Sequence, residues 1–440
     1  MKPSNTNSRR DFMKTTALAT AGATMLNPLN IPGAYAAGSD VIKIALIGCG
    51  GRGTGATFQA FETGHNLKLV AMADAFKDQL EDSYSKILKK FGKEKVDVPE
   101  ERRFVGFDAY KKAIKEADVV IIATPPGFRP YHFEEAIARD KQVFMEKPVA
   151  TDAIGIRKVL EVAEKAKAKK LNVVVGLQRR YQDNYIETVK RIHDGAIGDI
   201  VGGQVFWNGG GVWVRERQPG QTEMEYQMRN WYYFNWLCGD HIVEQHVHNI
   251  DVANWVKGSY PVKAEGTGGR LVRTGKDNGE IYDHHIVLFT YDDGTVIHSE
   301  CRHFPGAHNR VDEGFQGTKG RTFMHAGNHG VIWDAKGNEL YKHNGENNPN
   351  PYQKEHDELF AAIVKGEYKF ADAENAAKST MTAIMGRYAT YSGKIINWDD
   401  ALNSEVSLMP EQLDWNASPK VLPGDDGYYP HAIPGKTKVI

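Results

Sequence analysis

Little in this sequence points to a charged partner or to an oxidised scaffold. Only three cysteines, Cys49, Cys238 and Cys301, are scattered through 440 residues, too few and odd in number for a disulfide framework. An excess of one charge is also missing. The 55 basic side chains face 56 acidic ones, a formal net charge of -1, which excludes the basic footprint of a nucleic-acid binder. No apolar run reaches the roughly 20 residues that a helical membrane span needs. Neither an internal repeat nor a low-complexity tract is present. What remains is a globular mixture, 41% hydrophobic and 25% charged, long enough for two or three domains at roughly 100–200 residues each. The partner it suits is a small, mostly neutral molecule.

The first 36 residues read as a processing segment. Ser8-Arg9-Arg10-Asp11-Phe12-Met13-Lys14 precedes a weakly apolar run from Thr15 to Leu26, and Ala34-Tyr35-Ala36 follows as a small-x-small cleavage site. That order is a twin-arginine signal, which exports proteins already folded. It reconciles a periplasmic destination with so few cysteines, because the chain folds in a reducing compartment.

From Val41 to Arg180, short apolar strands alternate with helices. The strands are Val41–Ile47, Leu67–Ala73, Phe104–Val105, Asp118–Ala123, Gln142–Met145 and Asn172–Gly176. Strands buried on both faces and separated by helices imply a parallel, doubly wound α/β sheet. From residue 181 to 395 the pattern changes to longer alternating strands, with Asp292-Asp293-Gly294 as a hairpin turn. This predicts an α+β domain built on a large, mostly antiparallel open sheet, whose exposed face suits pairing of subunits into a dimer or tetramer. Residues 396–440 read as a tail packed on the domains.

Gly48-Cys49-Gly50-Gly51-Arg52-Gly53 fits G-x-G-x-x-G between the first strand and a helix. The first glycine permits the turn, the second lets a pyrophosphate approach the backbone, and the third lets helix and strand pack closely. The second strand ends in Asp74, 21 residues beyond Gly53, where an acid accepts hydrogen bonds from the adenosine ribose. That carboxylate repels a 2′-phosphate, and Ala75-Phe76 offers no arginine to receive one. The cofactor implied is NAD rather than NADP.

Taken with Thr124-Pro125-Pro126, Glu146-Lys147-Pro148 and the stretch Gly239–Asp251, the glycine loop resembles the Gfo/Idh/MocA oxidoreductases, relatives of glucose–fructose oxidoreductase and inositol dehydrogenase. The resemblance covers about Val41 to Tyr391, with the Glu-Lys-Pro turn its most specific mark. It implies that Gly48, Gly50, Gly51, Arg52, Gly53, Asp74, Thr124, Pro125, Glu146 and Lys147 line the cofactor, and that Lys147 also reaches the substrate hydroxyl. The family's Asp-x-x-x-His-x-x-Asp places the acid/base at His248, with Glu244 where an Asp is usual and most of the flanking glycines absent. The resemblance also sets the element after Gly176 beside the nicotinamide, so Arg180 and Tyr181 are substrate candidates.

Elementary chemistry agrees in kind. Taking a hydroxyl proton near neutral pH suits an imidazole. On a continuous helix Glu244 lies one turn before His248 and would orient it. His241, Glu244 and His248 would share that face and could hold zinc, with His246 pointing away; acid/base work is the preferred reading, with no metal. Aromatics crowd Phe206–Trp236, where Trp231 and Tyr233 could form a platform for a sugar ring or simply a core. The function expected is NAD-dependent oxidation or reduction of a secondary hydroxyl on a sugar or glycoside, with the cofactor firmly held. A redox-neutral glycosidase using the same site, and a sugar-binding protein that merely retains NAD, are the alternatives.

Overall fold

The computed structural model describes residues 41–346 and 348–440, so the signal segment lies outside the described residues. The first domain is a six-stranded parallel sheet of β1 (Ile42–Ile47), β2 (Leu67–Asp74), β3 (Arg103–Val105), β4 (Val119–Ile122), β5 (Gln142–Met145) and β6 (Val173–Val175). Their spatial order is β3-β2-β1-β4-β5-β6. The central strands are apolar on both faces because helices cover both: Val119–Ile122 is fully buried. Connecting helices are α1 (Gly51–Glu62), α2 (Lys77–Lys95), α3 (Ala109–Glu116), α4 (Arg129–Ala138) and α5 (Ala153–Ala168). Strand order reverses between β1 and β4, the switch point at which open sheets of this kind bind ligands beyond the carboxyl ends of their strands.

Helix α6 (Asp183–His193) leads into a nine-stranded sheet of β7 (Ile200–Gly209), β8 (Lys263–Gly269), β9 (His284–Thr290), β10 (Val296–His303), β11 (Arg310–Gly317), β12 (Gly320–His325), β13 (His329–Asp334), β14 (Glu339–Lys342) and β15 (Ile396–Asn397). Only β7 and β10 pair in parallel; the other pairs are antiparallel. Strand β9 shows the two-residue alternation: His285, Val287 and Phe289 are buried, while Ile286 and Leu288 lie exposed on the other face. The helices of this half include α7 (Glu223–Arg229), α8 (His241–Glu244), α9 (Val247–Lys257) and α11 (Ala373–Ser392); α10 (Pro351–Lys365) returns to pack on the first domain. Strands β14 and β15 escape sequence patterning because one is almost wholly exposed and the other has two residues. Since β15 pairs with β8, the second domain extends past residue 395 into what reads as tail. No helix among the described residues is long and apolar enough to cross a membrane.

Candidate active site

Backbone requirements shape the glycine loop. Gly48 has φ +91°, and a Cβ there would stand 2.6 Å from the Thr124 nitrogen. At Gly53 a Cβ would lie 2.0 Å from the Gly48 carbonyl oxygen, so helix and strand meet only without a side chain. Gly50 and Gly51 are the reverse case, with nothing within 4 Å of an added Cβ. Gly50 caps α1 without a side-chain hydrogen bond, leaving first-turn N–H groups facing open space. An open cradle of free N–H groups at a helix start fits a pyrophosphate. Asp74 accepts from the backbone N–H of Cys49 (2.7 Å) and of Phe76 (2.8 Å), bracing the loop against the end of β2. Each oxygen keeps lone-pair capacity for a ribose hydroxyl. Burial pushes its carboxyl above the ordinary range. Thr124 Oγ1 pairs with His132 Nδ1 at 3.0 Å beside Pro125.

Two of the expected cofactor contacts have other partners. Arg52 and Glu146 bind each other, Nε to Oε1 at 2.5 Å, and Arg52 also approaches Glu355 and lies 5.3 Å from the Tyr352 ring. The Glu146 carboxylate is buried beneath Gly176, where an unpaired charge would be costly. Arg52 therefore pins α1 to the sheet and to α10.

The next residue turns the other way. Lys147 donates from Nζ to the Glu244 carbonyl (2.6 Å) and to Glu244 Oε1 (3.1 Å), an ion pair across the boundary between the two domains. The continuous helix expected to carry His241, Glu244 and His248 is broken here: α8 ends at Glu244 and α9 begins at Val247. Asp240, at φ 71°, starts α8 with its own carboxylate accepting from the His241 N–H at 2.5 Å. Because of the break, Glu244 orients Lys147 rather than the His248 ring. His248 is buried and stacks on Trp207, centroids 5.8 Å apart. Burial, and then the Lys147 ammonium, hold its pKa well below the usual 6.5. Its Nδ1 is buried with no hydrogen-bond partner among the described residues.

His241 belongs to a separate cluster. Its Nδ1 meets Asp240 Oδ1 at 2.8 Å, and His285 Nε2 stands 3.2 Å from Asp240 Oδ2. The Tyr391 hydroxyl and the Tyr282 N–H donate to the same carboxylate. Asp240, His241 and His285 have ligand atoms within 4.8 Å of one another. They are not the trio His241, Glu244 and His248, and the Asp240 oxygens are already taken by donors. His246 turns away to Ser299, 2.8 Å from its hydroxyl.

The substrate candidates divide. Arg180 is held by Asp251 through two 2.8 Å hydrogen bonds, and the buried Tyr181 donates to Asp372. Both help to anchor the frame, and these bonds use only two of the five N–H donors of Arg180. Arg179 is the arginine nearer the site; it pairs with buried Glu313 and lies 5.8 Å from the Trp207 ring. Tyr233 is buried with its hydroxyl on the Val212 carbonyl, and Trp231 packs between Trp213 and Tyr232. Most of the aromatic crowd is a core. Trp207, which supports His248, and Tyr232 belong to that aromatic crowd, but sequence reasoning did not single them out. The Tyr232 hydroxyl is buried without a partner, its pKa raised by burial and then by the Glu244 carboxylate. No spacing rule marks either one, since their relation to His248 and Glu244 is purely tertiary.

Comparison with known proteins covers both halves. Residues 42–176 match the model of an oxidoreductase family with an NAD-binding Rossmann fold, and residues 185–322 match the GFO/IDH/MocA C-terminal domain. The chain is 26% identical over 281 residues to inositol 2-dehydrogenase of Rhizobium meliloti (strain 1021), covering 63% of this chain and 74% of that one. Among solved structures, levoglucosan dehydrogenase in complex with NADH and levoglucosan superposes with a TM-score of 0.63 at 14% identity, over 81% of this chain and 99% of the other. The aldose–aldose oxidoreductase from Caulobacter crescentus complexed with glycerol gives 0.62 at 17% identity, over 81% and 100%.

Proposed function

Since this chain belongs to the Gfo/Idh/MocA family of NAD-dependent oxidoreductases, we propose that it oxidises or reduces a secondary hydroxyl of a sugar or glycoside and keeps its cofactor bound between turnovers. The observation that carries this reading is the convergence of Lys147, Glu244 and His248 beyond the carboxyl ends of the parallel strands. The named relatives and structural neighbours act on, or are bound to, polyols and sugars, which supports a polyhydroxylated substrate.

Bound NAD supplies the hydride acceptor or donor; the chain's own residues manage the proton. His248 is neutral near pH 7 because burial and the neighbouring ammonium disfavour a second cation. A neutral imidazole can take the proton of a hydroxyl as it is oxidised. An ammonium has three N–H donors, and Glu244 occupies two of those on Lys147. The third is left to hold the substrate oxygen. Glu244 thus aims Lys147 and balances its charge. Trp207 holds the His248 ring from one face.

The twin-arginine motif Ser8–Lys14 and Ala34-Tyr35-Ala36 supports export to the periplasm. NAD would be bound before export and carried out with the folded chain, so each cycle would close by passing the hydride from the bound cofactor to a second, carbonyl-bearing substrate or to an external electron acceptor. The open sheet face supports a homo-oligomer. The test is to purify the exported protein, denature it, identify the released nucleotide, and incubate the native form with sugars and aryl glycosides. NAD in the supernatant and a keto-sugar product support the proposal. Release of aglycone without net NADH would instead favour the redox-neutral glycosidase. Co-purified NAD with no turnover on any sugar would favour a binding protein.

A further inference from the structure

Residues Asn403–Ile440 contain no helix or strand, yet they are anchored at every few positions. Arg157 of α5 donates to the carbonyls of Leu402 and Ser404 (2.7 and 2.8 Å), and the Leu408 N–H donates to Asp152 Oδ2 (2.9 Å). Met409 is buried against Gly127, where an added Cβ would lie 3.2 Å from its sulfur. The Trp415 ring then sits 4.6 Å from Phe107 and 5.1 Å from Phe76, and the Trp415 carbonyl accepts from Thr222 Oγ1 (2.6 Å). Asp152, Gly127, Phe107 and Phe76 follow β5, β4, β3 and β2 in turn. The tail is therefore a strap laid past the carboxyl ends of four of the six parallel strands, two on each side of β1, the edge along which such sheets hold their ligands.

The second domain closes on the same place from the opposite side. Arg229 of α7 lies 3.8 Å from the Phe76 ring and grips Asp78 with two hydrogen bonds, 2.7 and 3.0 Å. Between strap and helix is a cavity of about 700 Å³, lined by Phe76, Asp78, Glu81, Arg229 and Trp415 among others. It begins one residue after Asp74. Phe76 and Trp415 are each only half-buried and line this cavity, so part of each ring remains open to it.

On the reading of this chain as an NAD enzyme, we infer that the strap is a cofactor clamp: Trp415 packs against the adenine end of the dinucleotide, Arg229 closes the opposite wall, and the strap must lift before the nucleotide leaves. An adenosine tethered through its ribose at Asp74 has its base beside Phe76, under the indole. The arrangement explains retention without a covalent link.

The test loads the full-length protein with NADH, dilutes it into excess NAD, and follows loss of bound-nicotinamide fluorescence for wild type, Trp415→Ala, Trp415→Phe and Arg229→Met. The clamp predicts release at least about tenfold faster in Trp415→Ala, the scale of a lost base–aromatic stack. It predicts near wild-type release in Trp415→Phe and an intermediate rate in Arg229→Met. Equal release from wild type and Trp415→Ala would overturn the clamp and leave the NAD reading standing. Slower release from Trp415→Ala would make the indole a plug, and would also overturn it. Failure of the wild-type protein to take up any dinucleotide would remove the NAD reading itself, and the clamp with it.

Discussion

Glu146 and Lys147 are neighbours in the chain and serve two differently built regions. The half of the groove beneath Glu146 is made of backbone: a glycine loop with open space at Gly50 and Gly51, with Arg52 and Glu146 spent on holding α1 in place. The half that Lys147 enters is made of side chains from both domains, namely Lys147, Glu244, His248, Trp207 and Tyr232. A backbone cradle recognises what every dinucleotide shares, whereas a cluster of side chains can be retuned for one hydroxyl. Damage to the first region should therefore remove the cofactor, and damage to the second should stop turnover while the cofactor stays.

The largest expected effect is in the backbone half. In Gly53→Ala the new Cβ meets the Gly48 carbonyl oxygen at 2.0 Å, backbone that cannot yield. Overpacking of this kind costs about 1–3 kcal/mol or more. The melting temperature should fall, and the denatured protein should release no NAD; full retention would break the comparison. Next is Lys147→Ala, which should lower kcat by about 10²–10⁴, the range for a lost proton-handling group, with bound nucleotide unchanged on denaturation. Glu244→Gln keeps the shape but weakens the ion pair, so a loss of about tenfold in kcat is expected, of the order of one charge-assisted hydrogen bond. Tyr232→Phe removes an unpaired hydroxyl. It should leave stability equal or slightly raised, and any change in KM marks a substrate contact.

The pH profile sharpens the same division. A lowered imidazole pKa means that the base form persists as pH falls through 6.5, so the acid limb of kcat/KM for hydroxyl oxidation should lie well below that value. Removing the Lys147 ammonium favours the protonated ring, and the residual activity of Lys147→Ala should show its acid limb displaced upward. A limb that stays put in the variant would separate the two side chains.

The two regions also differed in how far the sequence could reveal them. Glycine positions were legible because they fall in one short spacing pattern: Gly53 lies five residues after Gly48 and meets its carbonyl, although what Gly48 itself makes room for is the backbone at Ala123 and Thr124. Continuous apolar runs marked the strands of the first sheet and two-residue alternation those of the second, both local patterns. Consecutive arginines were not so readable. Arg179 and Arg180 sit in one tight turn, and what separates them is Glu313, 134 residues away, and Asp251, 71 residues away. The break between α8 and α9 was also hidden, because helical spacing from His241 to His248 is unbroken in the sequence. At the break the His246 N–H bonds the His241 carbonyl, five residues back, and the His246 ring is paired with Ser299, a partner 53 residues away. The strap has no periodicity, so the sequence marked it only as a tail packed on the domains.

The most direct test of the central claim is a single turnover on the bound cofactor. Wild type, Lys147→Ala and His248→Ala, each shown to carry NAD, are mixed rapidly with a sugar that the wild type turns over, and the absorbance of reduced nicotinamide is followed. The account predicts a fast rise in wild type and a rise slowed by at least about a hundredfold in both variants. A rise at the wild-type rate in either one would show that the hydroxyl proton leaves by another route.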